Sequence, residues 1–163
     1  MSSNVFHGKM KYVPLVYLDL CLVKRFWDDR SILRNRLEFE VLLDILKLWE
    51  EGAIRLVNSA ALEAENAKNP DFERREGAAR ILSAMNLYID AVVEDFKRQN
   101  ELVSFGFGEI DALHLALAEK AGAGMFITAD DALIITVKKK QELLKLKALS
   151  ALDWQGVVKG VIK

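Results

Sequence analysis

Residues 13–22 read VPLVYLDLCL and residues 125–131 read MFITADD, and these two strings decide the fold. Val13 to Leu18 is short and apolar, with β-branched and aromatic residues and no polar alternation, as expected of a strand buried on both faces; Pro14 is tolerable near its start. Met125 to Thr128 repeats the pattern. Both runs end on acid, at Asp19 in the first case and at Asp130 and Asp131 in the second.

Between them the hydrophobic period changes to that of helices. From Ser31, a candidate N-cap, apolar residues at Leu37, Val41, Leu42, Ile45, Leu46 and Trp49 recur at spacings of three and four, and the pattern ends near Gly52. Ala53 to Asn58 reads as a second strand, Ser59 as the cap of a following helix, and Asn69-Pro70 as its break. Helices are expected over 78–85, 92–105, from Gly108 to about Ala121, and over 132–146, with a short third strand at 87–89. The tail from Ala148 offers a last strand and a helical turn. Strands that alternate with helices of ten or more residues imply right-handed crossovers and a mainly parallel sheet covered on both faces, so the expected fold class is α/β, a three-layer α/β/α sandwich. Sites in such folds lie at the carboxyl ends of the strands.

Composition bounds the rest. A chain of 163 residues with 52% hydrophobic and 29% charged residues supports one well-buried core and a charged exterior. A single domain over 1–163 is expected, with its core at about 13–140 and 141–163 as an extension of it. No apolar run is long enough for a membrane span. His7, Lys9 and Lys11 precede an apolar run that contains Asp19 and lacks a small-residue cleavage site, which favours a cytoplasmic location. Cys21 is the one cysteine, so an intramolecular disulfide and a cysteine-based zinc site are excluded, and two histidines make a histidine-rich site improbable on composition. The net charge of −1 gives the whole molecule no strong pull on a phosphate backbone, so nucleic-acid binding would need local patches.

The acids are the informative residues. Asp19 and Asp130 stand at strand ends, Glu63 and Glu65 follow the second strand, and Asp111 opens the helix before Met125. A parallel sheet brings all of them to one edge. Two bare carboxylates about 4 Å apart repel by roughly 4 kcal/mol at an effective dielectric near 20, so such a cluster requires protons or a cation. An all-oxygen donor set suits a hard ion, Mg²⁺ or Mn²⁺.

The strings VYLDLCL (16–22), LVNSAALEAEN (56–66), EIDALHLALAEKAG (109–122) and MFITADD (125–131), in this order, resemble the PIN-domain family of metal-dependent nucleases. The resemblance spans about Val13 to Lys140. It implies an α/β/α domain whose acidic pocket holds Mg²⁺ or Mn²⁺, an endoribonuclease activity, and, as in many bacterial and archaeal members, the toxin role of a toxin-antitoxin pair with an antitoxin protein as partner. Self-association is a further expectation of the family. Carried over by position, the family's first acid falls on Asp19, its third on Asp111 and its fourth on Asp130, which would hold the metal, with Thr128 matching the hydroxyl before the last acid and Asp131 as a supporting neighbour. The second acid is Glu65 or Glu63. The count from Ser59 fits Glu65 better, and the two point about 200° apart around a helix, so one of them faces the metal. Members commonly follow the first aspartate with a small hydroxyl residue and asparagine, whereas this chain has Leu20 and Cys21.

Each residue also has a plain structural reading. Asp19 or Asp131 can cap a helix, Asp111 can offset a helix dipole, and His114, three residues after Asp111, is placed where it can approach the site but reads first as a packed helix histidine. Cys21 reads as a small core residue, and Trp27, Trp49 and Trp154 as core or interface anchors. Lys138 to Lys140 and Arg30, Arg34 and Arg36 read as solvated faces, with a grip on RNA phosphates as the second reading. Two competing functions stand beside ribonuclease. Phosphotransfer through an aspartyl-phosphate also uses a strand-end aspartate and Mg²⁺, but commonly with a second acid two residues on, where Cys21 stands. A PIN-like domain that binds RNA or a partner with little or no cleavage is the non-enzymatic one.

Overall fold

The computed structural model describes residues 12–154. The expectations placed on His7, Lys9 and Lys11 and on the tail beyond 154 lie outside the described residues. Among them, five strands form one parallel sheet: β1 (Leu15–Leu18), β2 (Arg55–Ser59), β3 (Leu87–Ile89), β4 (Met125–Thr128) and β5 (Lys147–Ser150), in the order β3-β2-β1-β4-β5. The helices are α1 (Leu20–Val23), α2 (Leu33–Glu50), α3 (Ala60–Ala67), α4 (Phe72–Ala84), α5 (Asp95–Ser104), α6 (Glu109–Ala121) and α7 (Asp131–Lys140). The sheet lies between helical layers, as the alternation of periods implied. No described helix is long and apolar enough to cross a membrane.

The central strands β1 and β4 are buried at every position, which is why their sequences carry no alternation; β3, at the edge, is largely exposed. The register pairs Val16 with Met125, Tyr17 with Phe126 and Leu18 with Ile127. Because side chains two apart on a strand share a face, Tyr17 and Asp19 lie on the same face as Phe126 and Thr128. The rings of Tyr17 and Phe126 stack at 5.1 Å, and Asp19 then falls beside Thr128.

Several boundaries differ from the sequence expectation, each for a local reason. Ser31 does not cap α2: its amide donates to Asp29 Oδ1, and the helix starts two residues later behind Ile32. α4 begins at Phe72, six residues before the expected start, because Asp71 caps it by accepting from the Arg74 amide at 3.0 Å. Its first turns carry FERREG, too polar to show a hydrophobic period. α7 stops at Lys140 rather than Leu146. There Gln141 donates to the Leu146 carbonyl and accepts from the Ala148 amide, turning the chain into β5. α5 starts at Asp95, with the Asp95 carboxylate holding the Val92 amide at 2.8 Å in the turn before it.

Candidate metal centre

Asp19 leaves β1 at its carboxyl end with its own amide donating to the Ile127 carbonyl of β4 at 2.9 Å. The carboxylate is buried, and its Oδ2 accepts from Thr128 Oγ1 at 2.8 Å. Thr128 also accepts from the Asp130 amide at 3.0 Å, so one hydroxyl couples the two strand-end acids. Burial raises the Asp19 carboxyl above its usual range, against the opposing influence of His114 and the Thr128 hydrogen bond.

Glu65 reaches the same place from α3. Ser59 caps that helix, accepting from the Leu62 amide at 3.1 Å, and the buried Ala61, Leu62 and Asn66 set its rotation. Glu65 lies one turn beyond Ala61 and Leu62 and therefore faces inward, where its Oε2 meets His114 Nε2 at 2.8 Å. That hydrogen bond holds the Glu65 carboxyl below its usual range in spite of partial burial. Glu63 is exposed and its Oε1 accepts from Asn58 Nδ2 at 2.9 Å, so it does not join the cluster.

Asp111 stands in the first turn of α6 with no hydrogen-bond partner among the described residues. Its carboxyl is pushed up to about 6, first by burial and then by the charges of Asp19 and Asp130. Asp130 is the N-cap of α7, its Oδ1 accepting from the Ala132 and Leu133 amides at 2.9 and 3.2 Å. Asp131 turns outward into a two-pronged pair with Arg34.

One member belonged only to the second reading of its residue. His114, read from the sequence as a packed helix histidine, is fully buried but points into the acidic group: ligand atoms of Asp19, Glu65 and His114 all lie within 4.8 Å of one another. The signal in the sequence was its place three residues after Asp111, on the same side of a helix. Its Nδ1 meets the Tyr17 hydroxyl at 2.6 Å, and that hydroxyl meets Ser59 Oγ at 2.6 Å. Burial pushes the Tyr17 phenol well above its usual range, so it stays protonated.

Among the described residues no lysine or arginine pairs with Asp19, Glu65, Asp111 or Asp130. Elsewhere the chain answers its buried acids with cations: Glu38 lies between Arg34 and Arg25, and Glu119 takes two bonds from Arg98 at 2.8 and 3.0 Å. The uncompensated oxygens at the strand ends are the donor set a divalent ion needs, so the residues present fit such an ion. Cys21 lies beside them, its sulfur accepting from the Ala129 amide at 3.4 Å, and burial pushes its thiol up to about 12, which keeps it inert.

The basic clusters are partly spoken for. Arg34 is held by Asp131, Glu38 and the Ala129 carbonyl, and Arg30 lies over the Phe39 ring at 3.7 Å, whereas Lys138 and Lys139 are exposed at the end of α7.

The sequence matches no family model and no curated protein. The fold does have solved counterparts. A chain in the crystal structure of VapBC2 from Rickettsia felis, bound to a DNA fragment from their promoter, superposes with a TM-score of 0.52 over 83% of this chain and 98% of its own, at 14% identity. At that identity the likeness speaks for the fold, and the fold is PIN-like, as the four sequence strings implied.

Proposed function

We propose that this PIN-like chain is a metal-dependent endoribonuclease, with Asp19, Glu65, Asp111 and Asp130 holding a Mg²⁺ or Mn²⁺ ion. The observation that carries the reading is that ligand atoms of Asp19, Glu65 and His114 lie within 4.8 Å of one another, with Asp111 and Asp130 close enough to act on the same charges and no lysine or arginine paired with any of the four carboxylates among the described residues; burial first, then the charges of Asp19 and Asp130, push Asp111 up to about 6. A divalent ion bound there supplies Lewis-acid stabilisation of charge on a phosphoryl group and acidifies a water for attack.

The chain's own part is placement. Thr128 fixes one Asp19 oxygen, which leaves the other for the ion. The α7 amides fix one oxygen of Asp130 in the same manner. The N-termini of α3, α6 and α7 approach this edge, and their partial positive charge favours the anionic scissile group. Single-stranded or loop RNA is the expected substrate, because a small protein reads splayed bases more easily than a closed duplex.

The VapBC2 assembly, described as bound to promoter DNA, supports a wider proposal for this chain: the toxin of a toxin-antitoxin pair, cytoplasmic, self-associating, and inhibited by an antitoxin that covers the acidic edge. We read the whole chain as one unit in that role, residues 141–163 included. Leu20 and Cys21 favour a second reading, a PIN-like domain that binds RNA or a partner but cuts weakly, since a partly buried thiol stands where members carry an amide side chain. Incubation of the protein with mixed RNA, with and without Mn²⁺ or Mg²⁺, separates the readings. Metal-dependent fragments that disappear with Asp19→Asn support the nuclease. Retained RNA binding without fragments supports the second reading.

A further inference from the structure

The acidic edge contains a polar chain of which the nuclease reading uses only the last member, Glu65. It starts at Ser59, the N-cap of α3, passes through the Tyr17 hydroxyl at 2.6 Å to His114 Nδ1 at 2.6 Å, and returns from His114 Nε2 to Glu65 on α3 at 2.8 Å. Ser59, Tyr17 and His114 are all buried. The loop thus ties together β1, α3 and α6, the elements that bear Asp19, Glu65 and Asp111.

Proton placement along it follows from the donors available. A carboxylate accepts, so His114 Nε2 carries the proton shared with Glu65. With a single proton on the ring, Nδ1 accepts from the Tyr17 hydroxyl, which in turn accepts from Ser59; a second ring proton reverses the Tyr17 bond and leaves both His114 nitrogens engaged all the same. Ser59 keeps a lone pair for the Leu62 amide, which it accepts at 3.1 Å. In this arrangement the ring and both hydroxyls of the chain are satisfied, and the Glu65 oxygen is held in one direction. A glutamate side chain not held in this way loses its rotamer freedom only when it is fixed on an ion, which weakens binding.

We propose that His114, itself held by Tyr17 and Ser59, is a positioning residue that presents the Glu65 carboxylate to the divalent ion. This rests on the metal reading of the acidic edge and adds to it which residue sets the affinity. Both His114 nitrogens are taken, by Tyr17 and by Glu65, so His114 acts through Glu65 and does not bind the ion itself. Removal of outer partners of metal ligands lowers metal affinity on the order of 10- to 100-fold, which sets the size of effect to expect here.

The test is a double-mutant cycle on the full chain, read as Mn²⁺ affinity by isothermal titration calorimetry, with thermal melts to confirm that each variant is folded. His114→Leu is expected to weaken Mn²⁺ binding about 10-fold or more. His114→Gln, which keeps an amide donor toward Glu65, should recover most of the loss. In a Glu65→Gln background the same His114→Leu change should shift affinity by less than about threefold, since its effect has lost its route. Tyr17→Phe, which deletes one hydroxyl, repeats the comparison if His114→Leu does not fold. An equal loss in both backgrounds overturns the assignment and makes His114 a ligand or a purely structural residue. An unchanged affinity in the single variant overturns it as well. A wild-type protein that takes up no Mn²⁺ removes the metal reading and this inference together. Mn²⁺ binding without RNA cleavage removes the nuclease reading alone and leaves the role of His114 standing.

Discussion

Asp111→Asn in metal-free protein is the sharpest perturbation the acidic edge offers. Its carboxyl is raised from an ordinary value of 3.8 to about 6, with burial the first cause, Asp19 and Asp130 next, Glu65 adding to the rise and His114 opposing it. A raised folded-state value means the proton is bound more tightly in the folded than in the unfolded chain. The resulting stability is fully present below about pH 3.8 and is lost as pH rises through about 6. At 1.36 kcal/mol per pH unit the displacement corresponds to roughly 3 kcal/mol. Solvent reaches part of the side chain, and discounting for that screening leaves about 1–2 kcal/mol. Asparagine cannot ionise. The variant in EDTA is therefore expected to be about 1–2 kcal/mol more stable than wild type at pH 8, and the advantage should vanish by about pH 4. Asp19, raised in the same direction by burial, adds to the alkaline weakness of the wild-type protein. Urea denaturation at a series of pH values measures the difference. Mn²⁺ should reverse the order at pH 8, because an ion at 100 times its dissociation constant adds about 2.7 kcal/mol to the protein that binds it. An Asp111→Asn variant that is less stable than wild type at pH 8 without metal would refute the charge-crowding argument.

Other substitutions probe the frame around the site. Asp130→Ala removes the cap of α7 and should lower unfolding free energy by about 1 kcal/mol, while Asp130→Asn keeps the cap and should stay near wild type; chemical denaturation without metal distinguishes them. Gly77→Ala drives a Cβ into the Trp27 ring at Cζ2, so α4 must shift off the indole, at about 1–3 kcal/mol in excess of alanine's better helix propensity; a melting temperature equal to wild type would contradict this contact. Glu119→Ala removes two of the bonds of Arg98, which keeps Glu101 and the Leu143 carbonyl, and frees the Lys145 amide at the joint of α5, α6 and the turn into β5; it should cost about 2 kcal/mol in urea denaturation.

How much of this could be read from the chain differs by residue. Asp19 and Asp130 are legible because a buried parallel strand is a local signal, and the residue after it must lie at the carboxyl edge. The choice between Glu63 and Glu65 needed the rotation of α3. That rotation is written in Ala61, Leu62 and Asn66, which bury one side of the helix, but a period cannot be read across eight residues without knowing which side meets the sheet. Asp131 and Arg34 are 97 positions apart, and nothing local foretells their pairing. Glu38 is partly legible, since it stands four residues after Arg34 on the face of Val41, Leu42 and Ile45, whereas its second arginine, Arg25, comes from outside that helix.

By itself the sequence determined the alternation of strand and helix, and with it a parallel sheet whose carboxyl edge collects the acids. Those are consequences of period and of the buried strand's need for apolar side chains on both faces. Only the tertiary structure decided that His114 joins Glu65, that Tyr17 and Ser59 stand behind it, and that among the described residues no lysine or arginine pairs with Asp19 or Asp111. Side chains up to 109 residues apart along the chain meet there, at distances set by how helices rotate and seat on the sheet, and no local pattern encodes that rotation.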